Sequence, residues 1–158
     1  MKTERYKVKT VRVSLCCEVP DHGQASGPDE VAKIAVAVWN RDLDWDKESF
    51  VLLACDARGK VVGYKVVGIG TMTSTLVHPR EVFRAAIMLG AATVFVVHNH
   101  PSGDLSASQE DVALTERLRL RGELLGIPVV DHLIVAADGR FTSLAEGRID
   151  RGKDRETL

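Results

Sequence analysis

The sequence predicts a mixed α/β fold in which helices flank one mixed β-sheet. Stretches with helical periodicity alternate with short β-branched runs, giving the order β-α-β-β-α-β-α-β-β without an internal repeat. The run Thr93 to Val97 is continuously apolar, which is typical of a strand buried on both faces. The 158 residues, 45% of them hydrophobic, are enough for one domain to build a core without disulfides.

The N-terminal part of the chain predicts one strand and one helix. Apolar residues alternate with polar ones from Val11 to Leu15, which favours a half-buried strand within Arg5 to Val19. The segment Ser26 to Glu30 combines a serine near the cap, an early proline and two acids in the first turn, as helix starts do. Apolar residues at helical spacing then continue the helix to about Asn40.

A hairpin and a second helix are predicted next. The β-rich runs Phe50 to Cys55 and Lys60 to Gly70 are separated by the turn sequence Asp56-Ala57-Arg58-Gly59. Arg80 to Leu89 has apolar residues at helical spacing, and Gly90 is placed to end that helix.

The C-terminal part predicts a third helix and a second hairpin. The helix begins at Ser106 or Ser108 and stops at Gly126-Ile127-Pro128. The runs Val129 to Ala136 and Phe141 to Ser143 flank a turn and form the hairpin.

Composition and charge exclude several classes of function. A net charge of −1 provides no overall basic footprint, so DNA is a possible partner that charge does not support. The longest apolar run, Ala92 to Val97, is far shorter than the roughly 20 residues of a membrane span, and the first ten residues are too polar for a signal peptide. We therefore expect a cytoplasmic protein that does not enter the membrane. Its cysteines, Cys16, Cys17 and Cys55, fit neither a disulfide framework nor a CxxC metal motif.

Two histidines follow the buried strand and predict a metal site. His98 and His100 are two residues apart, so on extended backbone their rings project to the same side. Asp111, in the first turn of the third helix, can be the third ligand. Two histidines, a carboxylate and an open fourth position describe a catalytic zinc site with one Zn²⁺ per chain. Such a ligand set also suits Fe²⁺, so the identity of the metal stays open.

The chemistry of such a site needs groups beyond the ligands. Glu48, at the start of a neighbouring strand, is the candidate general base, and Glu81 is its rival. Ser108 could support an oxyanion, or it could simply cap the third helix. Asp131 and His132 lie inside a predicted strand, where they either orient a ligand histidine or tie the strand to a loop.

These residues resemble a known family. His98, His100, Pro101, Ser108 and Asp111 match the JAMM signature H-x-H-(P)-x-x-x-x-x-x-S-x-x-D of the MPN/JAB metalloprotease superfamily. Three segments look more narrowly like the RadC family of bacterial JAB-domain proteins: His78 to Phe83, His98 to Gly103 and Asp131 to Ile134.

The resemblance implies an MPN/JAB fold with a cytidine-deaminase-like layered sheet. It covers roughly Ser26 to Ile149, so we expect a domain at 26–149 between an N-terminal segment (1–25) and a polar tail (150–158). It also implies that His98, His100 and Asp111 hold zinc with Ser108 beside them. Full-length RadC proteins carry an additional helix-hairpin-helix region, for which the residues before Ser26 are too few, so the resemblance is to short, single-domain members.

The function that we expect is zinc-dependent hydrolysis of peptide or isopeptide bonds in an unknown protein or peptide substrate. Two alternatives stay open. The RadC resemblance implies a DNA repair or other nucleic-acid transaction factor, and a metal-stabilised module could bind a partner without cleaving it. The sequence does not indicate the oligomeric state.

Overall fold

The computed structural model describes residues 25–70, 77–145 and 148–150, and within them three helices accompany a six-stranded mixed sheet. The strand order is β2-β1-β3-β4-β5-β6, with β3 and β4 parallel and every other neighbouring pair antiparallel. The elements are α1 (Pro28–Asp42), β1 (Ser49–Cys55), β2 (Val61–Ile69), α2 (Pro79–Met88), β3 (Thr93–Asn99), α3 (Gln109–Leu125), β4 (Val129–Val135), β5 (Phe141–Ser143) and β6 (Arg148–Asp150). The predicted mixed α/β fold is confirmed, while the strand predicted within Arg5 to Val19 lies outside the described residues.

The sheet separates two apolar layers because successive side chains of a strand point to opposite faces. One layer packs α1 against side chains such as Val51, Phe95 and Leu133. The other packs α2 and α3 against side chains such as Leu52 and Val96. Both faces of β1 and β3 are therefore buried, which explains the continuous apolar runs.

The helix ends follow their predicted signals with small differences. Helix α1 has Pro28 in its first turn and runs to Asp42, two residues past the predicted end, with Gly27 at its N-cap position. At α2, the Nδ1 atom of the exposed His78 accepts from the backbone N–H of Arg80 at 3.1 Å. Ser108 caps α3, so the structure selects it over Ser106.

Helix α3 lies unusually close to the start of β4. A Cβ atom added at Gly122 would be 2.5 Å from the carbonyl oxygen of Ile127, so a larger residue cannot occupy this position without displacing backbone. A hydrogen bond from the Ile127 N–H to the Gly122 carbonyl oxygen at 2.8 Å joins the same two residues. This close packing holds the C-terminal end of α3 against the start of β4, and a contact between Thr115 and His132 joins the same two elements nearer the N-terminus of the helix.

Two strand boundaries differ from the predictions. Strand β3 continues two residues past Val97 and includes His98 and Asn99, because both pair with β4. Strand β6 was not predicted; it pairs with β5 at the edge of the sheet. Among the described helices, none is long and apolar enough to cross a membrane.

Candidate metal centre

Three potential ligand side chains meet where β3 ends and α3 begins. The Nε2 atoms of His98 and His100 are 3.0 Å apart. The Asp111 carboxylate lies 3.2 Å from His98 Nε2 through Oδ1 and 3.5 Å from His100 Nε2 through Oδ2. Within the described ranges, these three residues form the group whose geometry suits a metal ion.

The backbone explains why these three residues meet. His98 is the sixth residue of β3 and is fully buried, and His100 follows two positions later, on the same side of the extended chain. The loop then turns at Gly103, whose φ of 75° is a left-handed conformation that favours glycine. This turn returns the chain so that the N-terminus of α3 covers both rings.

The third ligand is oriented by the cap of α3. The Ser108 hydroxyl donates to Asp111 Oδ2 at 2.7 Å, and the Ser108 N–H donates to the same oxygen at 2.8 Å. In return, the Asp111 N–H donates to Ser108 Oγ at 3.0 Å, which completes a capping box. The capping role foreseen for Ser108 is confirmed, and its role at an oxyanion stays a prediction.

A buried hydrogen-bond chain lies behind His98. His98 Nδ1 is 2.8 Å from His132 Nε2, and His132 Nδ1 is 2.5 Å from Thr115 Oγ1. The Thr115 hydroxyl in turn donates to the backbone carbonyl of Asp111 at 2.6 Å. The chain closes a ring, because it begins at one potential ligand and ends on the backbone of another.

This chain determines which ring nitrogens carry hydrogen. A carbonyl oxygen only accepts, so the Thr115 proton points to Asp111 and the Thr115 oxygen accepts from His132 Nδ1–H. His132 Nε2 is then an acceptor, and His98 Nδ1 donates to it. His100 Nδ1 also carries hydrogen, because it lies 2.8 Å from the Asp104 carbonyl oxygen, which can only accept. The remaining lone pairs of His98 and His100 are therefore both on Nε2.

The convergence of these lone pairs fits a bound cation. Two imidazole lone pairs and a carboxylate face one another at 3.0–3.5 Å, an arrangement that is repulsive until a positive charge lies between them. A tetrahedral ion with bonds of about 2.0–2.1 Å would hold neighbouring ligand atoms about 3.3 Å apart. Nitrogen, nitrogen and oxygen donors at this spacing suit a divalent transition metal.

The electrostatics of His100 and Asp111 are consistent with this assignment. The Asp111 carboxylate beside its ring raises the pKa of His100 above its usual range, and burial opposes part of this effect. Burial would raise the pKa of the Asp111 carboxyl, but the adjacent His100 and His98 rings outweigh it and hold that pKa well below its usual range. Asp111 is therefore ionised, as a metal ligand must be.

His132 is neutral because of its surroundings. It is completely buried, and desolvation together with the nearby His98 lowers its pKa well below the usual range. A neutral ring has one donor and one acceptor nitrogen, which is what the hydrogen-bond chain requires. Of the two residues predicted to orient a ligand, His132 is the one that contacts His98.

Asp131 makes the other predicted kind of contact, which ties its strand to a neighbouring segment. Its Oδ1 accepts from the N–H groups of His132 and Ala145 at 2.6 Å and 2.9 Å. Its Oδ2 accepts from the Ser143 hydroxyl at 2.6 Å. Asp131 therefore ties β4 to the end of β5, and the structure shows no contact between its carboxylate and the three potential ligands.

The sheet register places Glu48 beside the potential ligands. Phe50 of β1 is paired with His98 of β3, so the residue two positions before Phe50 is level with His100 on the same face. Glu48 lines the cleft of about 910 Å³ that contains His98, His100 and Asp111. Asp111 makes the largest contribution to the raised pKa of His100, and the negative charge of Glu48 adds a smaller one.

The rival carboxylate lies elsewhere. Glu81, on α2, forms ion pairs with Arg80 at 3.3 Å and with Arg84 at 2.8 Å. It is not among the residues that line the cleft. The geometry therefore favours Glu48 over Glu81.

Asn99 holds the backbone on both sides of Glu48. Its side-chain oxygen accepts from the Ser49 N–H at 2.9 Å, and its amide nitrogen donates to the carbonyls of Trp45 and Lys47 at 3.2 Å and 3.1 Å. The side chain is fully buried, so these contacts replace its hydrogen bonds to water.

Asn99 and Thr115 were not predicted from the sequence as parts of the site. The position of Asn99 could have indicated its role, because a side-chain amide directly after a buried strand needs hydrogen-bond partners nearby. Thr115 gave a weaker indication, because it lies four residues after Asp111 and thus on the same side of the helix.

Known proteins resemble this chain over most of its length. A family model described as the RadC-like JAB domain matches residues 26–149. The chain is similar to the UPF0758 protein of Methanosarcina mazei, with 48% identity over 100 residues that make up 63% of this chain and 43% of the relative.

A second relative, the UPF0758 protein of Methanosarcina acetivorans, is 47% identical over 109 residues, which are 69% of this chain and 47% of the relative. A UPF0758 protein of Picosynechococcus is 45% identical over 119 residues, or 75% and 48% of the two chains. The chain spans about half the length of the curated relatives it matches.

Proposed function

The chain belongs to the RadC-like JAB domain family, and on that premise we propose that it is a zinc-dependent hydrolase of peptide or isopeptide bonds. His98, His100 and Asp111 would hold the metal, and Glu48 would act as general base. The proposed location is the cytoplasm.

One observation carries the proposal. Hydrogen bonds to Asp104 and His132 leave the two Nε2 lone pairs directed at each other and at an ionised carboxylate, inside a cleft lined by a second carboxylate. Two histidines and one carboxylate leave a further coordination position open, as catalytic zinc sites do. Two imidazole nitrogens and one carboxylate oxygen would suit zinc better than Mg²⁺ or Ca²⁺, which prefer oxygen ligands throughout.

A divalent ion bound there would supply Lewis-acid polarisation of the scissile carbonyl and make water nucleophilic near neutral pH. The protein residues supply the proton transfers and the orientation. The Glu48 carboxylate accepts a proton from the attacking water and returns it to the nitrogen of the cleaved bond, which leaves as an amine. Ser108 holds Asp111 through the capping box, and its hydroxyl is close enough to the cleft to support the oxyanion when it is released from that contact.

The test is hydrolysis of a mixed peptide library and an isopeptide-linked pair by the zinc-loaded protein. Glu48→Gln keeps the size of the side chain and removes the base, so we expect a loss of about 100-fold or more in rate with zinc content unchanged. Glu81→Gln is the matched control, since Glu81 lies outside the cleft, and it should cleave at the wild-type rate.

The outcome also separates the alternatives. A metal-stabilised binding module would retain zinc and cleave neither class of substrate, with or without Glu48. A nucleic-acid factor would bind DNA with an affinity that falls steeply as salt increases.

A further inference from the structure

The cleft extends from the metal centre along helix α3 to a pair of arginines. Glu110, Leu114, Arg117 and Arg121 all line it, and their spacing of four, three and four residues defines one stripe of the helix. The stripe runs from acidic to basic, because Glu110 lies beside Asp111 in the first turn, whereas Arg117 lies at the middle of α3 and Arg121 lies one turn further towards its C-terminus.

The two arginines have no internal role in the described part of the chain. Both are exposed, and within residues 25–70, 77–145 and 148–150 neither forms an ion pair or a hydrogen bond. Arg80, which also lines the cleft, differs in this respect, since it pairs with Glu81. As far as the described residues extend, Arg117 and Arg121 are therefore available to bind an anionic group that enters the cleft.

Their distance from the reaction centre follows from helix geometry. At about 1.5 Å per residue, Arg117 and Arg121 lie about 9 Å and about 15 Å along the axis from Asp111. An extended peptide advances about 3.3–3.6 Å per residue. The arginines are thus level with positions about three and about four to five residues away from a bond held at the metal centre.

We propose that the cleft selects acidic peptide segments, with carboxylates about three and about four to five residues from the scissile bond paired to Arg117 and Arg121. Guanidinium groups suit carboxylates because two parallel N–H donors match two oxygens. This inference rests on the proposed hydrolase function and names its substrate class.

A peptide fits the charge pattern better than a nucleic acid. Glu48 and Glu110 line the cleft next to Asp111, so a phosphate backbone continuing past the arginines would meet three carboxylates. A peptide can carry acids at one end only, and neutral residues can occupy the acidic end of the cleft.

The experiment measures binding by fluorescence anisotropy with fluorescein-labelled hexaglutamate, hexaglutamine and a 12-nucleotide single-stranded DNA. The zinc-loaded Glu48→Gln chain is used so that the probes stay intact. We expect hexaglutamate to bind more tightly than hexaglutamine, and the combined Arg117→Gln and Arg121→Gln change to weaken hexaglutamate binding about 2- to 30-fold. Arg119→Gln is the matched control, because Arg119 is exposed on α3 but does not line the cleft.

Equal binding of hexaglutamate with and without the two arginines would overturn the inference. DNA binding that is tighter than hexaglutamate binding and depends on the same arginines would also overturn it, in favour of a nucleic acid. Hexaglutamate binding that needs the arginines, in a wild-type chain that cleaves no peptide, would contradict the hydrolase function while supporting the acidic-peptide site. A wild-type chain that cleaves library peptides without acids at the stated positions would support the hydrolase function and contradict the acidic-peptide site.

Discussion

Replacing Thr115 with valine removes the hydroxyl at the end of the hydrogen-bond chain behind His98 and changes the side-chain volume little. The hydroxyl accepts from His132 Nδ1 at 2.5 Å and donates to the Asp111 carbonyl at 2.6 Å. Since His132 is completely buried, its Nδ1–H would be left without a partner. An unsatisfied buried donor costs about 1–3 kcal/mol, so we expect the free energy of unfolding to fall by that amount.

The same substitution should weaken metal binding. Without Thr115, the other tautomer of His132 becomes accessible, and its Nε2–H would confront the Nδ1–H of His98 at 2.8 Å. Loss of a partner that orients a ligand histidine typically lowers metal affinity about 10- to 100-fold. Zinc affinity measured by competition with a chromogenic chelator, together with urea unfolding of the metal-free chain, gives both quantities.

Thr115→Ser is the control, because serine keeps the hydroxyl and should retain most of the wild-type zinc affinity. If the valine and serine variants bind zinc equally well, the hydrogen-bond chain does not orient His98 and the reasoning is refuted.

Three further predictions follow from buried polar groups. Asn99→Ala removes three hydrogen bonds at the backbone around Glu48 and should lower the urea-unfolding free energy by about 2–4 kcal/mol; an unchanged midpoint would show that this clamp is unimportant. Asp131→Asn should destabilise the fold but leave zinc affinity intact, and a chelator competition that shows weaker binding would contradict its assignment to the β4–β5 connection. Burial raises the pKa of the Cys55 thiol to about 11, so the thiol is both inaccessible and protonated at pH 8. In a variant that also carries Cys16→Ser and Cys17→Ser, we expect iodoacetamide at pH 8 to modify Cys55 only after unfolding. Rapid labelling of the native chain would show that the side chain is accessible.

The sequence predicts those parts of the site that depend on local spacing. His98 and His100 are separated by one residue at a strand end, and Ser108 and Asp111 are separated by one helical turn, so each pair meets whatever the rest of the fold does. Glu48 is expected at the start of a neighbouring strand; it directly precedes β1, and the antiparallel register of β1 and β3 makes it level with His100.

The remaining parts depend on tertiary packing and could not be read from local patterns. Thr115 meets His132, 17 residues later, because α3 packs against β4, and this packing is not visible in a local sequence pattern. Asp131 and His132 looked equivalent in the sequence, but adjacent residues of a strand face opposite sides of a sheet, so only one of them reaches His98. Strand β6 was missed because three residues at a sheet edge carry too short a pattern.

We propose that His98, His100 and Asp111 bind one zinc ion. Elemental analysis of the purified chain beside His100→Ala and Asp111→Ala tests it most directly, since each variant removes a ligand outside the apolar core. We expect close to one zinc per wild-type chain and loss of that zinc in both variants. A wild-type chain that binds no zinc when supplied with it, or zinc retained by both variants, would contradict the claim.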